Sequence, residues 1–159
     1  MLNALPHNQT PLQSPIKLFT IGFTKRSARA FFGTLLAAGV ERVIDTRLNN
    51  VSQLAGFTKR ADLAYFLETI GGLDYVHLPE LAPTQAMLTA YKKQKGAWED
   101  YERDFIALLV ERQIERAIAP ELLHQSCLLC SEAKPDYCHR RLVAEYFREH
   151  WGSVEVCHL

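Results

Sequence analysis

The chain lacks the sequence features that mark membrane-spanning, secreted and nucleic-acid-coating proteins. None of its apolar runs approaches the roughly 18 residues that suggest a transmembrane helix. Residues 1–15 have no basic start and no apolar core, so they do not resemble a secretory signal. Neither charge is in excess, since 18 basic residues balance 18 acidic ones. This balance argues against a surface that binds nucleic acid or acidic membranes as a whole.

Cysteine is scarce, and its distribution argues against an extracellular disulfide framework. The four cysteines all lie at or after Cys127, whereas disulfide scaffolds spread their cysteines along the chain to link distant loops. A local cluster fits a reducing compartment better. We therefore expect a cytoplasmic protein with no membrane partner.

The composition is typical of one globular domain. Hydrophobic residues make up 48% of the chain and charged residues 23%, which is a globular rather than a disordered balance. A chain of 159 residues is long enough to bury one full core. We expect residues 1–15 to form a mobile N-terminal arm and residues 16–159 to form a single domain.

Strand-like and helix-like segments alternate after the arm. The predicted strands are 17–22, 42–45, 75–78, 125–129 and 153–157, and the predicted helices are 28–38, 60–70, 85–94, 98–118 and 140–150. Nearly continuous apolar strands that alternate with helices are typical of a parallel sheet covered on both faces. The sequence therefore predicts an α/β fold: a single three-layer domain with a mainly parallel sheet of about five strands flanked by helices.

Polar side chains follow each predicted strand at its carboxyl end. They are Thr24, Asp45, Arg47, His77, Cys130, Glu132 and His158. Ligands of open parallel sheets bind beyond the carboxyl ends of the strands. The sequence therefore predicts a single site at this edge of the sheet.

The segment after the fourth strand carries the densest set of reactive side chains. Cys130 and Glu132 are two residues apart, so both can point to one side of the sheet. Cys138 and His139 lie at the start of the last predicted helix, where free amides attract anions and lower the pKa of a thiol. Arg140 adds a planar donor suited to phosphate or carboxylate.

Two functional interpretations of this segment are open. In the first, an enzyme or ligand-binding site uses Cys130 or Cys138 as a thiolate and Glu132 or His139 as the proton carrier. In the second, Cys130, Cys138 and His139, with His158 or Glu132, hold zinc or iron. The first interpretation predicts no cofactor.

Structural roles are the alternative for several of these residues. Cys127 and Cys157 can pack as small hydrophobes, and strand alternation places Cys127 on the face opposite Cys130, which weakens a shared CxxC metal site. Glu132 can form an ion pair with Arg140 or Arg141 that ties the loop to the helix.

Other candidate residues lie near the ends of the first two strands. Asp45 and Arg47 can orient a ligand or brace a loop. Gly22 and Thr24 precede a helix, as in a phosphate-holding turn, although no Walker or dinucleotide pattern is present. A basic run at Lys92, Lys93 and Lys95 is a solvated face or a nucleic-acid contact. A non-catalytic interaction module that uses the arm and this face is a third candidate function.

The ordered motifs resemble one known family. The stretches 20–24, 43–47, 75–78 and 129–132, followed by Cys138-His139-Arg140, are similar to landmarks of the domain-of-unknown-function 488 (DUF488) family. The resemblance runs over residues 17–159, and it departs from the family pattern at residues 49–52, where similar sequences often have a proline before the serine. It implies a single α/β domain but no settled reaction.

The resemblance also marks positions that match the family pattern, namely Gly22, Asp45, Arg47, Cys130, Glu132, Cys138, His139 and Arg140. Together with the residues above, it favours an intracellular enzyme or ligand-binding domain for an anionic molecule, a nucleotide or nucleic-acid end included. The anion would be bound by Gly22, Thr24, Asp45, Arg47, His77 and Arg140. The oligomeric state is left open.

Overall fold

A computed structural model of the chain describes residues 14–51 and 56–159. Residues 1–13 of the predicted arm lie outside the described residues, and so does Ser52 of the loop that departs from the family pattern. In the described part of the chain, no helix is long and apolar enough to cross a membrane.

A five-stranded sheet forms the centre of the fold. Its strands are β1 (Ile16–Gly22), β2 (Arg42–Asp45), β3 (Asp74–His77), β4 (Ser126–Cys130) and β5 (Val154–His158). The spatial order is β3-β2-β4-β1-β5, and every neighbouring pair is parallel. The predicted α/β class and strand count are confirmed, and the sheet is parallel throughout rather than mainly parallel.

Helices cover both faces of this sheet. They are α1 (Ala28–Ala38), α2 (Arg60–Gly71), α3 (Gln85–Leu88), α4 (Trp98–Arg112), α5 (Ile114–Ala117), α6 (Pro120–Leu123) and α7 (His139–Trp151). Short 3-10 turns occur at Gly56–Thr58 and Pro79–Leu81, and a π-helical turn occurs at Thr89–Lys93. One core packs between the sheet and α4 to α7, and a second packs between the sheet and α1 and α2.

The two cores show which way each residue of β4 faces. Leu128 belongs to the core beneath α4 and α7, whereas Cys127 belongs to the core beneath α1 and α2. Cys130 approaches His139 at the start of α7. The prediction that strand alternation separates Cys127 from Cys130 is therefore confirmed.

Capping residues fix the ends of two predicted helices. The Ser27 hydroxyl accepts a hydrogen bond from the Ala30 amide at the start of α1, and Gly39 ends this helix with a left-handed φ of 76°, which glycine adopts without steric cost. The Thr84 hydroxyl accepts a hydrogen bond from the amide of Met87 at the start of α3.

The predicted helix 98–118 is wrong as a single element. The helix α4 ends at Arg112 because Gln113 adopts a left-handed conformation with φ 50°, and the chain then turns into the short helix α5. This turn places Ile114 fully inside the core. The predicted helix 85–94 also differs, because α3 changes into the π-helical turn at Thr89.

Candidate functional site

A cleft of ≈ 290 Å³ opens beyond the carboxyl ends of β2 and β4. Five of the residues predicted from sequence line it: Arg47, Cys130, Glu132, Cys138 and His139. The remainder of the wall includes three tyrosine rings and two lysines, namely Tyr91, Tyr101, Tyr137, Lys92 and Lys93.

Three buried side chains form a compact cluster on the floor of this cleft. Cys130 is the last residue of β4, Cys138 caps α7, and His139 is the first residue of that helix. The two sulfur atoms and one imidazole nitrogen lie within 4.8 Å of one another. The Sγ of Cys130 is 3.5 Å from Nδ1 of His139. We call these three residues the Cys-Cys-His cluster.

The imidazole of His139 is held in one orientation by Thr46. Its Nε2 lies 2.9 Å from the backbone carbonyl oxygen of Thr46, which can only accept a hydrogen bond, so Nε2 is the protonated nitrogen. The Thr46 hydroxyl donates to the carbonyl of Leu129 at 2.8 Å and accepts from the same Nε2 at 3.1 Å. Burial lowers the pKa of His139, so Nδ1 presents a lone pair to Cys130.

The two thiols of the cluster have opposite pKa shifts. The S–H of Cys138 donates to the sulfur of Cys130, and this lowers the pKa of Cys130 although burial opposes it. Backbone amides of Ser131 and Glu132 lower it further. The same bond to Cys130, with burial, raises the pKa of Cys138. The Nη1 of Arg140 also donates to Sγ of Cys138 at 3.4 Å.

Contacts outside the cleft hold the loop that joins β4 to α7. A Cβ at Gly22 would overlap the carbonyl oxygen of Glu132. Thr24 donates its amide and its hydroxyl to the carbonyl of Ser131 at 3.1 and 2.6 Å. Arg140 donates to the carbonyl of Glu132 at 2.6 Å. Because the Ser131 carbonyl bonds Thr24, the amide of Glu132 in the same trans peptide unit points the opposite way.

Arg140 and His158 both contact the hydroxyl of Thr20. Arg140 is fully buried, and its Nε donates to the Thr20 hydroxyl at 3.2 Å. That hydroxyl lies 2.7 Å from Nδ1 of His158. His158 is therefore not grouped with Cys130, Cys138 and His139 as the alternative four-residue metal site would require.

The structural alternative for Glu132, an ion pair with Arg140 or Arg141, is not found among the described residues. The Glu132 carboxylate pairs with Lys92 at 3.0 Å, and Arg140 bonds the backbone of Glu132 instead. Arg141 pairs with Glu145 at 3.1 Å, one turn along α7. The partner of Glu132 comes from the π-helical turn because that turn forms the opposite wall of the cleft.

A buried brace holds the loop after β2. Both oxygens of the Asp45 carboxylate accept bonds of 2.8 Å from the guanidinium of Arg47. Tyr75 and Asn50 donate to the same carboxylate, and Arg47 donates to the carbonyl of Thr58 at 2.7 Å. Burial raises the pKa of Asp45, but the bonds and charge of Arg47 outweigh it and hold the pKa below its usual value. The structure thus favours the loop-bracing role.

His77 takes part in positioning the same loop. Its Nε2 donates to the carbonyl of Arg47 at 2.8 Å, and it lies outside the cleft lining. Of the six residues predicted to bind an anion, Arg47 alone lines the cleft, and its Nε and Nη2 are committed to Asp45 and Thr58.

The comparison with family models matches residues 27–147 to the family described as "Domain of unknown function DUF488". The chain belongs to the DUF488 family. The resemblance carried by the sequence motifs is thereby confirmed over most of the described domain. The comparisons with curated proteins and with solved structures gave no match.

Sequence reasoning did not place two kinds of residue at the site of this DUF488 domain. Thr46 lies between Asp45 and Arg47 in the stretch 43–47, but only the fold shows that its carbonyl faces His139. The lysines at 92 and 93 were predicted to form a solvated face or a nucleic-acid contact, whereas they line the cleft. The signal for them was their position beside Tyr91 in the sequence.

Replacing Gly22 with alanine should destabilise the DUF488 domain, because the new methyl group would collide with the Glu132 carbonyl. We expect the free energy of unfolding to fall by about 2 kcal/mol. Gly33→Ala is the matched control, since the space around Gly33 in α1 is open and alanine favours a helix by up to about 1 kcal/mol. Denaturant unfolding of both variants measures this, and equal effects would contradict the close approach.

Replacing Asp45 with asparagine should leave the buried Arg47 cation without a counter-charge and cost about 3–5 kcal/mol of unfolding free energy near neutral pH. The pKa of Asp45 is lower in the folded protein than in the unfolded chain. Its carboxylate therefore contributes fully to the free energy of unfolding above its unfolded-state pKa, and this contribution is lost as the pH falls through its folded-state pKa. The difference in free energy of unfolding between the wild type and Asp45→Asn should therefore become smaller at acidic pH.

The control for this brace is Asp74→Asn, which removes a carboxylate that is 69% exposed and paired with Arg42. We expect that change to cost about 0–1 kcal/mol. If the difference in free energy of unfolding between the wild type and Asp45→Asn stayed constant or grew below about pH 4, the charged brace between Asp45 and Arg47 would be contradicted.

Proposed function

We propose that this DUF488 protein is an enzyme that acts on a small anionic molecule bound in the cleft, with the Cys-Cys-His cluster as its reacting end. The observation that carries this proposal is the placement of three buried, chemically reactive side chains on the floor of a cleft whose mouth carries two lysines. Convergent polar groups in a well-formed pocket are typical of substrate sites.

The charge of the cleft favours an anion. Lys92 and Glu132 neutralise each other at 3.0 Å. Lys93 has no ion-pair partner within residues 14–51 and 56–159, so its ammonium is available to a ligand. Both lysines belong to the π-helical turn, a distortion that is frequent at functional sites.

The aromatic wall favours a ligand with a flat portion. The rings of Tyr91 and Tyr101 are 4.9 Å apart, and the ring of Tyr137 contacts the edge of Trp98 at 5.6 Å. Tyr137 is 65% exposed at the mouth of the cleft. A nucleotide, or the terminal nucleotide of a nucleic acid, combines a phosphate with a ring that can stack on such side chains. The balanced net charge suits a short ligand better than a long polyanion.

The residues predicted from sequence take different roles in this proposal. Glu132, half exposed at the mouth, can transfer protons to or from a bound ligand. The cluster provides the reacting atoms. Gly22, Thr24 and Arg140 act indirectly, by holding the loop that carries Glu132 and Cys138. Asp45, Arg47 and His77 likewise hold the loop that carries Thr46.

Replacing Lys93 with glutamate should weaken the binding of adenosine monophosphate, measured by titration calorimetry at low salt, by about tenfold or more. Reversing a charge about 4 Å from a phosphate in water changes the interaction by roughly 2 kcal/mol. Lys95→Glu makes the same change of net charge outside the cleft lining and should have a small effect.

Uncharged adenosine separates the charge effect from a general loss of the pocket, because its binding should be the same in the wild type and in Lys93→Glu. Two results would overturn the proposal that the cleft binds an anionic ligand. One is equal weakening by the two lysine substitutions. The other is a wild-type protein that binds neither adenosine monophosphate nor inorganic pyrophosphate.

A further inference from the structure

We propose that Cys130, Cys138 and His139 bind one Zn²⁺ ion through their two sulfur atoms and Nδ1, with a fourth coordination position open to the cleft. Metal binding by the cluster is independent of the proposed function. Only the use of the open position by a substrate rests on that function.

The spacing of the donor atoms fits a tetrahedral ion. With zinc–sulfur bonds of about 2.3 Å and zinc–nitrogen bonds of about 2.0–2.1 Å, a tetrahedral sulfur–nitrogen pair is about 3.5 Å apart. The Sγ of Cys130 and Nδ1 of His139 are separated by 3.5 Å. All three donors lie within 4.8 Å of one another, so a small inward rotation of side chains brings them onto one ion.

The surroundings of each donor are those of a metal ligand. The protonated Nε2 of His139 is bound to the Thr46 carbonyl, which leaves Nδ1 as the coordinating nitrogen. Metal-bound histidines usually donate their second nitrogen in this way. Arg140 donates to the sulfur of Cys138, and backbone amides donate to the sulfur of Cys130. Hydrogen-bond donors at both sulfur atoms stabilise the thiolate form that a metal ligand requires.

The donor types favour zinc over magnesium and calcium. Thiolate ligands disfavour magnesium and calcium, which prefer oxygen, and two thiolates with one imidazole are a known zinc set. Two thiolates also neutralise the charge of one Zn²⁺ ion, so the ion and its three ligands would carry no net charge.

The cluster supplies three ligands and no more. Among residues 14–51 and 56–159, no further histidine, cysteine or carboxylate joins the group. Cys127 faces the opposite core, and His158 is bonded to Thr20. Three protein ligands with an open position are typical of catalytic rather than structural zinc. Because the cluster lines the cleft, the open position can polarise an oxygen atom of the bound anion or a water molecule.

The test is the zinc content of the purified full chain after loading with Zn²⁺ and dialysis, measured by plasma mass spectrometry. We expect one zinc per chain in the wild type and less than a tenth of that in Cys130→Ser, Cys138→Ser and His139→Ala. Cys157→Ser, which removes an exposed cysteine outside the cluster, should keep one zinc per chain.

Cobalt titration of the wild type keeps the test independent of how the variants fold. Co²⁺ in a tetrahedral site with two thiolates gives sulfur charge-transfer and intense visible bands, and added Zn²⁺ should abolish them. The proposal is overturned if wild type retains no zinc and gives no such bands, if zinc is lost equally from Cys157→Ser, or if iron is retained in place of zinc. Binding of adenosine monophosphate and its loss in Lys93→Glu are measured separately, so failure of one proposal leaves the other standing.

Discussion

A buried guanidinium determines the shape of the candidate site in this DUF488 domain. Arg140 is fully buried, so its donors need acceptors inside the protein, although Nη2 has none in the described part of the chain. It uses the carbonyl of Glu132, the hydroxyl of Thr20 and the sulfur of Cys138. The loop from β4 to α7 is thereby tied to β1, and Cys138 is brought beside Cys130.

A second buried arginine, Arg47, holds a loop in place on the other side of the cleft. Arg47 and Asp45 fix the loop after β2, and the carbonyl of Thr46, between them, fixes the ring of His139. Two networks therefore position the cluster: the hydrogen bonds of Arg140 and the ion pair of Asp45 with Arg47. Arg140 and Arg47 thus position the cluster through the loops that carry Cys138 and Thr46.

The sheet and the edge that holds the site were predictable, because apolar strand runs and the polar residues that follow them leave a clear local signal. Strand alternation also predicted the separation of Cys127 from Cys130. The direction of Arg140 was not predictable, since an arginine at a helix start can point to a ligand or back into the protein. The pairing of Glu132 with Lys92 depends on a π-helical turn distant in sequence. The end of α4 at Gln113 was not predictable either, because the left-handed conformation of this residue does not interrupt the apolar periodicity of the sequence.

The most direct measurement is a crystal structure of the zinc-loaded protein with anomalous data collected on both sides of the zinc absorption edge. We predict one anomalous peak bonded to Sγ of Cys130, Sγ of Cys138 and Nδ1 of His139, with its fourth ligand in the cleft. A peak elsewhere, no peak, or a fourth ligand from the protein that closes the ion off from the cleft would contradict a reactive zinc centre at the carboxyl edge of the sheet.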